Sequence, residues 1–151
     1  MDQEKQTLEA KVDELRRRLE QLEEEWETLS SRVSRMTVSK LTDPRHPLID
    51  WELHHFSSEA EHVRFHATMT ALQNRLKGAI VPENEQVEIE GIARTALYSP
   101  ARPTATEIIE ALKLVTHGTE RSVVKLMELA KEEFAYDYEE LADFVLESFV
   151  R

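Results

Sequence analysis

Residues 8–36, "LEAKVDELRRRLEQLEEEWETLSSRVSRM", carry apolar side chains at Leu8, Val12, Leu15, Leu19, Leu22, Trp26, Leu29, Val33 and Met36, spaced alternately by four and three. A repeat averaging 3.5 residues is one narrow stripe along a helix. Leu8, Leu15, Leu22, Leu29 and Met36 take the d positions of a heptad. Val12, Leu19, Trp26 and Val33 take the a positions, and nearly everything between is polar or charged. A helix lying on its own globular core needs a broader apolar face, so a seam two residues in seven wide suits a second helix. These nine residues are therefore the expected oligomer interface of an N-terminal coiled coil, residues 1–36, in a homodimer.

The flanking charges bear on orientation. Lys11, Arg16, Arg17 and Arg18 form a basic block, and Glu20, Glu23, Glu24, Glu25 and Glu27 an acidic one. Side by side in parallel, Glu4 meets Glu9 and Lys11 meets Arg16, both repulsive, while only Arg18 with Glu23 attracts. An antiparallel pair centred between Leu19 and Leu22 instead brings Arg16 near Glu23 and Arg18 near Glu25. Each exposed pair contributes only about 0.2–1 kcal/mol, so charge tilts the orientation and leaves both open.

Beyond the seam, "TVSKLTDPRHPLID" contains Pro44 and Pro47 and loses the heptad, which predicts a linker over residues 37–50. Asp50 is placed to cap a helix starting at Trp51 and running to Lys77, with Gly78 as its stop. The apolar stripe of this helix is Phe65, Met69, Leu72 and Leu76, and Ser58 with Glu61 reads as a capping box that can interrupt it. "ENEQVEIEGIARTALY", residues 83–98, fits a helix better than a strand, because Ile89, Ile92, Ala93, Ala96 and Leu97 share a face. After "SPARP", Thr104 with Glu107 opens a helix ending before Gly118. Thr119 opens the next, and Asp137 with Glu140 the last. The predicted fold is all-α: an N-terminal coiled coil followed by a small helical bundle of about five helices, residues 51–151.

Composition narrows the function classes. Net charge is −11, and residues 79–151 hold 15 acids against 7 bases. Such a surface repels phosphate backbones, which disfavours nucleic acid as a partner. The absence of cysteine excludes thiolate chemistry and fits a cytoplasmic location, and with no long apolar run neither a membrane span nor a signal peptide is expected. No serine sits in a glycine-bracketed elbow, so no enzyme is predicted.

One cluster does invite chemistry. "HHFSSEAEHVRFH", residues 54–66, holds four of the six histidines. On a continuous helix Glu52, His55, Glu59, His62 and His66 fall at spacings of three and four along one face, and His62 and His66 stack one turn apart, as two imidazoles on one metal ion do. His55, Glu59, His62 and His66 are the candidate ligands of a divalent transition metal, with a further ligand from elsewhere, such as His117 or a second subunit. The competing reading makes them ordinary residues at the rim of the core, needing no cofactor. Residues 104–134 also resemble a helix-turn-helix around Gly118, with Arg121, Lys125 and Lys131 as phosphate contacts, but Glu120, Glu128, Glu132 and Glu133 share that helix. The expected function is a non-enzymatic adaptor or regulatory protein. It dimerises through its coiled coil and presents an acidic bundle, notably Glu139, Glu140, Asp143 and Glu147, to a protein partner. A metal-binding protein and a DNA-associated regulator are the alternatives.

Overall fold

The structure, a computed structural model, describes residues 1–41 and 45–149. It is all-helical, with no strand among the described residues. The first helix, α1, runs Asp2–Leu41 and, at 1.5 Å per residue, is about 60 Å long. Residues 5–27 are exposed on every side. The helix meets the body only in its last third, where Thr28, Ser31 and Arg32 are half-buried and Arg35 is buried. These four sit at c, f and g of the heptad, on the side of the helix away from the seam.

Five helices long enough to pack and one single turn form the body: α2 (Pro47–His55), α3 (Glu59–Leu76), α4 (Arg94–Tyr98), α5 (Ala105–Thr116), α6 (Glu120–Glu132) and α7 (Glu139–Glu147). The expected linker over 37–50 is thus shorter than predicted, with α1 reaching Leu41 and α2 starting at Pro47; Pro44 lies outside the described residues. Proline at the first helical position forfeits no bond, since that N–H has no partner within the helix. Asp50 is therefore inside the helix and is not its cap. That task falls to Glu133, 85 residues downstream, whose Oε2 accepts from the N–H groups of Leu48 at 3.0 Å and Ile49 at 3.2 Å. Its Oε1 lies 2.6 Å from His46 Nδ1 and accepts from Ala135 N at 3.0 Å.

The break between α2 and α3 is written locally. Phe56 is extended, Ser58 is the N-cap of α3, and its hydroxyl accepts from Glu61 N while Glu61 Oε2 accepts from Ser57 N and Ser58 N. The helix expected from Trp51 to Lys77 is consequently two helices meeting at a corner. α3 then supplies the centre of the core with Phe65, Met69 and Leu72, all fully buried, and ends at Gly78, whose φ of +70° favours glycine.

Residues 83–98 depart from the helix expected there. A single 3-10 turn, Glu83–Glu85, and the five residues of α4 are helical. Gly91 turns the chain at φ +82°, and the Tyr98 hydroxyl bonds to both backbone groups of Val87, the N–H at 2.9 Å and the carbonyl at 3.3 Å. Arg75 holds the following segment down, donating to Ala96 O and Ala101 O at 2.8 Å and to Glu107 at 3.1 Å.

The capping boxes at Thr104–Glu107 and Thr119–Ser122 open α5 and α6 where expected. At α7 the cap differs: Tyr138, and not Asp137, is the N-cap, without a side-chain bond to the helix. Ile108, Leu112, Val123, Leu126, Met127, Leu141 and Val145 complete the core beside α3. Among the described residues no helix is long and apolar enough to cross a membrane.

Candidate functional site

Two features outside the core stand out, a buried histidine–carboxylate cluster and the seam of α1. The cluster is made by the corner. On an unbroken helix Glu52 would stand about 15 Å from His62 and about 21 Å from His66 along the axis. The turn at Phe56–Ser58 folds α2 back, so that Glu52 Oε1 lies 2.8 Å from His66 Nε2 and Glu52 Oε2 lies 3.1 Å from His62 Nε2. Glu52 is wholly buried, and both histidines retain only a small exposed edge. Burial alone would push the Glu52 carboxyl up. The two imidazoles beside it outweigh this and hold the group below its ordinary 4.5.

The outer nitrogens of the two rings face further partners. His66 Nδ1 is 2.8 Å from the Tyr138 hydroxyl, and Tyr136 packs against the same ring at 4.4 Å between centroids. The tautomer that satisfies both sides of His66 carries its proton on Nε2 toward Glu52 and accepts from Tyr138 at Nδ1. His62 Nδ1 is 3.4 Å from Glu59 Oε1, and Glu59 Oε2 is held by Arg35 of α1 at 3.0 Å. Partial burial raises the Glu59 carboxyl, and the Arg35 bond and charge with Ser31 outweigh it, leaving it below 4.5.

His62 differs from its neighbour. It lies close to two carboxylates, yet neither ring nitrogen is aligned for a hydrogen bond among the described residues, and Glu52 Oε2 is likewise without one. Distance is satisfied and direction is not.

Of the four residues expected to bind metal, His62 and His66 come together, and Glu59 stands behind His62. His55 is excluded: it turns away, 2.7 Å from the carbonyl of Thr116, and stacks on Trp51 at 4.3 Å. His117 is not the missing ligand either, serving instead as the left-handed C-cap of α5. Glu52 takes that place, from the preceding helix. Its signal was present in the Ser58–Glu61 capping box, which announces the corner that carries it there. Arg35 and Tyr138, the other participants, had no local signal.

The seam of α1 is intact and outward. Leu8, Val12, Leu15, Leu19, Leu22, Trp26, Leu29, Val33 and Met36 remain 41% to 69% exposed, while the opposite side of the helix is fastened to the body. Arg32 donates to the carbonyls of Leu53 at 3.1 Å and Phe56 at 3.3 Å, and Arg35 reaches Glu59. No family model, curated protein or solved structure matches this chain.

Two of the three cations of the helix-turn-helix reading are drawn into the protein's own charge pattern. Lys125 pairs with Glu128 at 2.8 Å and Lys131 with Asp143 at 2.5 Å. The tail aromatics divide: Tyr138 is core and Tyr136 and Phe144 are half-buried, whereas Phe134 and Phe149 are exposed, with the Arg45 guanidinium over the Phe134 ring.

Proposed function

We propose that this chain is a non-enzymatic adaptor that pairs with a second copy through the α1 seam and offers its acidic body to a basic protein segment. One observation carries the reading: α1 fastens itself to the body with its polar side and leaves every seam residue facing outward. Nine apolar residues along one stripe are 41% to 69% exposed, and contiguous exposed apolar surface marks protein–protein contacts. A helix using that stripe for its own core would be rotated by about half a turn.

The charge pattern favours the antiparallel pair. In that arrangement Lys11 faces the partner's Arg32, a repulsion relieved because Arg32 is turned into the body against the end of α2. The bodies then lie at opposite ends of the pair, doubling the copies presented and raising avidity for a repeated target. Asp137, Glu139, Glu140, Asp143 and Glu147, at and just before α7, line a cleft of about 400 Å³ with Arg102, and Lys77 and Lys131 pair with three of them.

Mass in solution, followed by sedimentation over a range of concentrations, tests the pairing. The intact chain is expected as a dimer, and Leu19→Glu with Leu22→Glu as a monomer of unchanged helix content in the body. A monomeric intact chain at micromolar concentration refutes the reading. Because the chain has no cysteine, orientation can be read by cross-linking. Leu8→Cys mixed with Val33→Cys joins unlike chains in the antiparallel pair, whereas Leu8→Cys alone joins like chains in the parallel one.

A further inference from the structure

We propose that Glu52, His62 and His66 form a binding site for one divalent transition ion of the zinc type, a function separate from the pairing of α1. The three residues present one ligand atom each, all within 4.8 Å of one another, from two helices that meet at a corner. Two imidazoles and one carboxylate are the donor set that borderline-soft divalent ions take, with the fourth position left for water.

The dimensions fit. For metal bonds of about 2.0–2.1 Å, neighbouring ligand atoms of a tetrahedron lie roughly 3.4 Å apart. One ligand atom from each residue lies within 4.8 Å of the others, and Glu52 stands 2.8 Å from His66 through Oε1 and 3.1 Å from His62 through Oε2, so small side-chain adjustments bring the set to that spacing. Glu52 Oε2 and His62 Nε2 lie 3.1 Å apart with no hydrogen bond between them, although Glu52 is fully buried. Unsatisfied buried acceptors are uncommon, and an ion placed between them would satisfy both.

The surroundings have the form of a second coordination layer. A histidine bound to metal through one nitrogen donates its other N–H to a carboxylate or another oxygen, which fixes the ring. Glu59 stands at His62 Nδ1, itself oriented by Arg35, and the Tyr138 oxygen stands at His66 Nδ1. Binding shifts the His66 proton from Nε2 to Nδ1 and turns the Tyr138 oxygen from donor to acceptor, while the Glu52 carboxylate offsets one of the two charges the ion brings. Entry is open, because the rims of His62 and His66 line a cleft of about 410 Å³ between α3 and residues 81–98.

The test uses the full chain without an added histidine tag, stripped with chelator and titrated with zinc chloride and separately with cobalt chloride at pH 7.5. One ion per chain is expected, with a rise in melting temperature and a cobalt visible spectrum of low-coordinate intensity. His62→Gln and His66→Gln are expected to weaken binding at least about 100-fold, and Glu59→Gln about 10- to 100-fold, as loss of an outer partner does. His54→Gln and His117→Gln should leave it unchanged. Nitrogen NMR of the unaltered chain supplies a readout independent of variant folding, with zinc moving the Nε2 signals of His62 and His66 and not that of His55. Absence of saturable binding, or binding indifferent to His62 and His66, overturns the proposal. Both outcomes are independent of whether the seam pairs.

Discussion

Replacing Glu133 by alanine is expected to be among the most damaging single changes in the body, although the residue belongs to no cluster of like residues and ends no heptad. Its carboxylate is the N-terminal cap of α2, reached from the end of α6, and it satisfies two backbone N–H groups at the buried positions Leu48 and Ile49. Each buried donor left without a partner costs about 1–3 kcal/mol, and the favourable placement of an anion at a helix N-terminus is lost as well. The third donor, Ala135 N, is at an exposed residue and can turn to water. Allowing for water entering the opened corner, Glu133→Ala should destabilise by about 3–5 kcal/mol, a large share of the 5–15 kcal/mol typical of a domain. Glu133→Gln keeps one oxygen for Leu48 and Ile49 but sets its NH₂ against the Ala135 N–H, and should cost about 1–2 kcal/mol. Urea unfolding at fixed protein concentration measures both. Fluorescence of Trp51, made the sole tryptophan by Trp26→Phe, reports on α2 itself. A loss under 1 kcal/mol for Glu133→Ala, or a larger loss for the glutamine variant, would show that this carboxylate does not hold the helix start.

His117→Gly should stabilise the chain by about 0.5–1 kcal/mol, since a left-handed residue with a Cβ costs about 1–2 kcal/mol and glycine's added chain entropy returns part of it; a lower melting temperature would refute this. Arg75→Ala should cost about 2–4 kcal/mol through three lost charge-assisted bonds and should raise amide exchange first in residues 94–101; uniform exchange across the body would contradict that order. On acidification, Glu61 and Glu107 are two capping carboxylates whose contribution is lost. Hydrogen bonds from Ser57 hold the first below 4.5 and those from Thr104 the second, so each contributes stability that is full above 4.5 and is lost as pH falls through the lower folded value. Glu61→Gln and Glu107→Gln should therefore be less stable than the unaltered chain at pH 6, with the gap narrowing as pH falls below 4.5, and a gap that does not change with pH would refute the assignment.

Where a local rule governs, the fold was legible. The stripe Phe65, Met69, Leu72, Leu76 is buried as its spacing requires, and the boxes at Ser58, Thr104 and Thr119 open helices because their bonds close within four residues. What failed was distant: α2 begins before Asp50 because Glu133 caps it from 85 residues away, and residues 83–98 stay largely irregular because the Tyr98 hydroxyl and Arg75 claim their backbone groups. The candidate site divides along the same line. His62 and His66 share one helix, so periodicity found them, whereas Glu52 joins them only through the corner and the periodic face placed His55 there wrongly.

The hydrophobic cluster that holds the body together draws on no described residue before Leu48. Residues 5–27 can therefore be substituted, or shortened by whole turns, without disturbing what makes the remainder fold. Mutation at the shaft and mutation at the hub are answerable to different constraints, since the packing of the one takes nothing from the other.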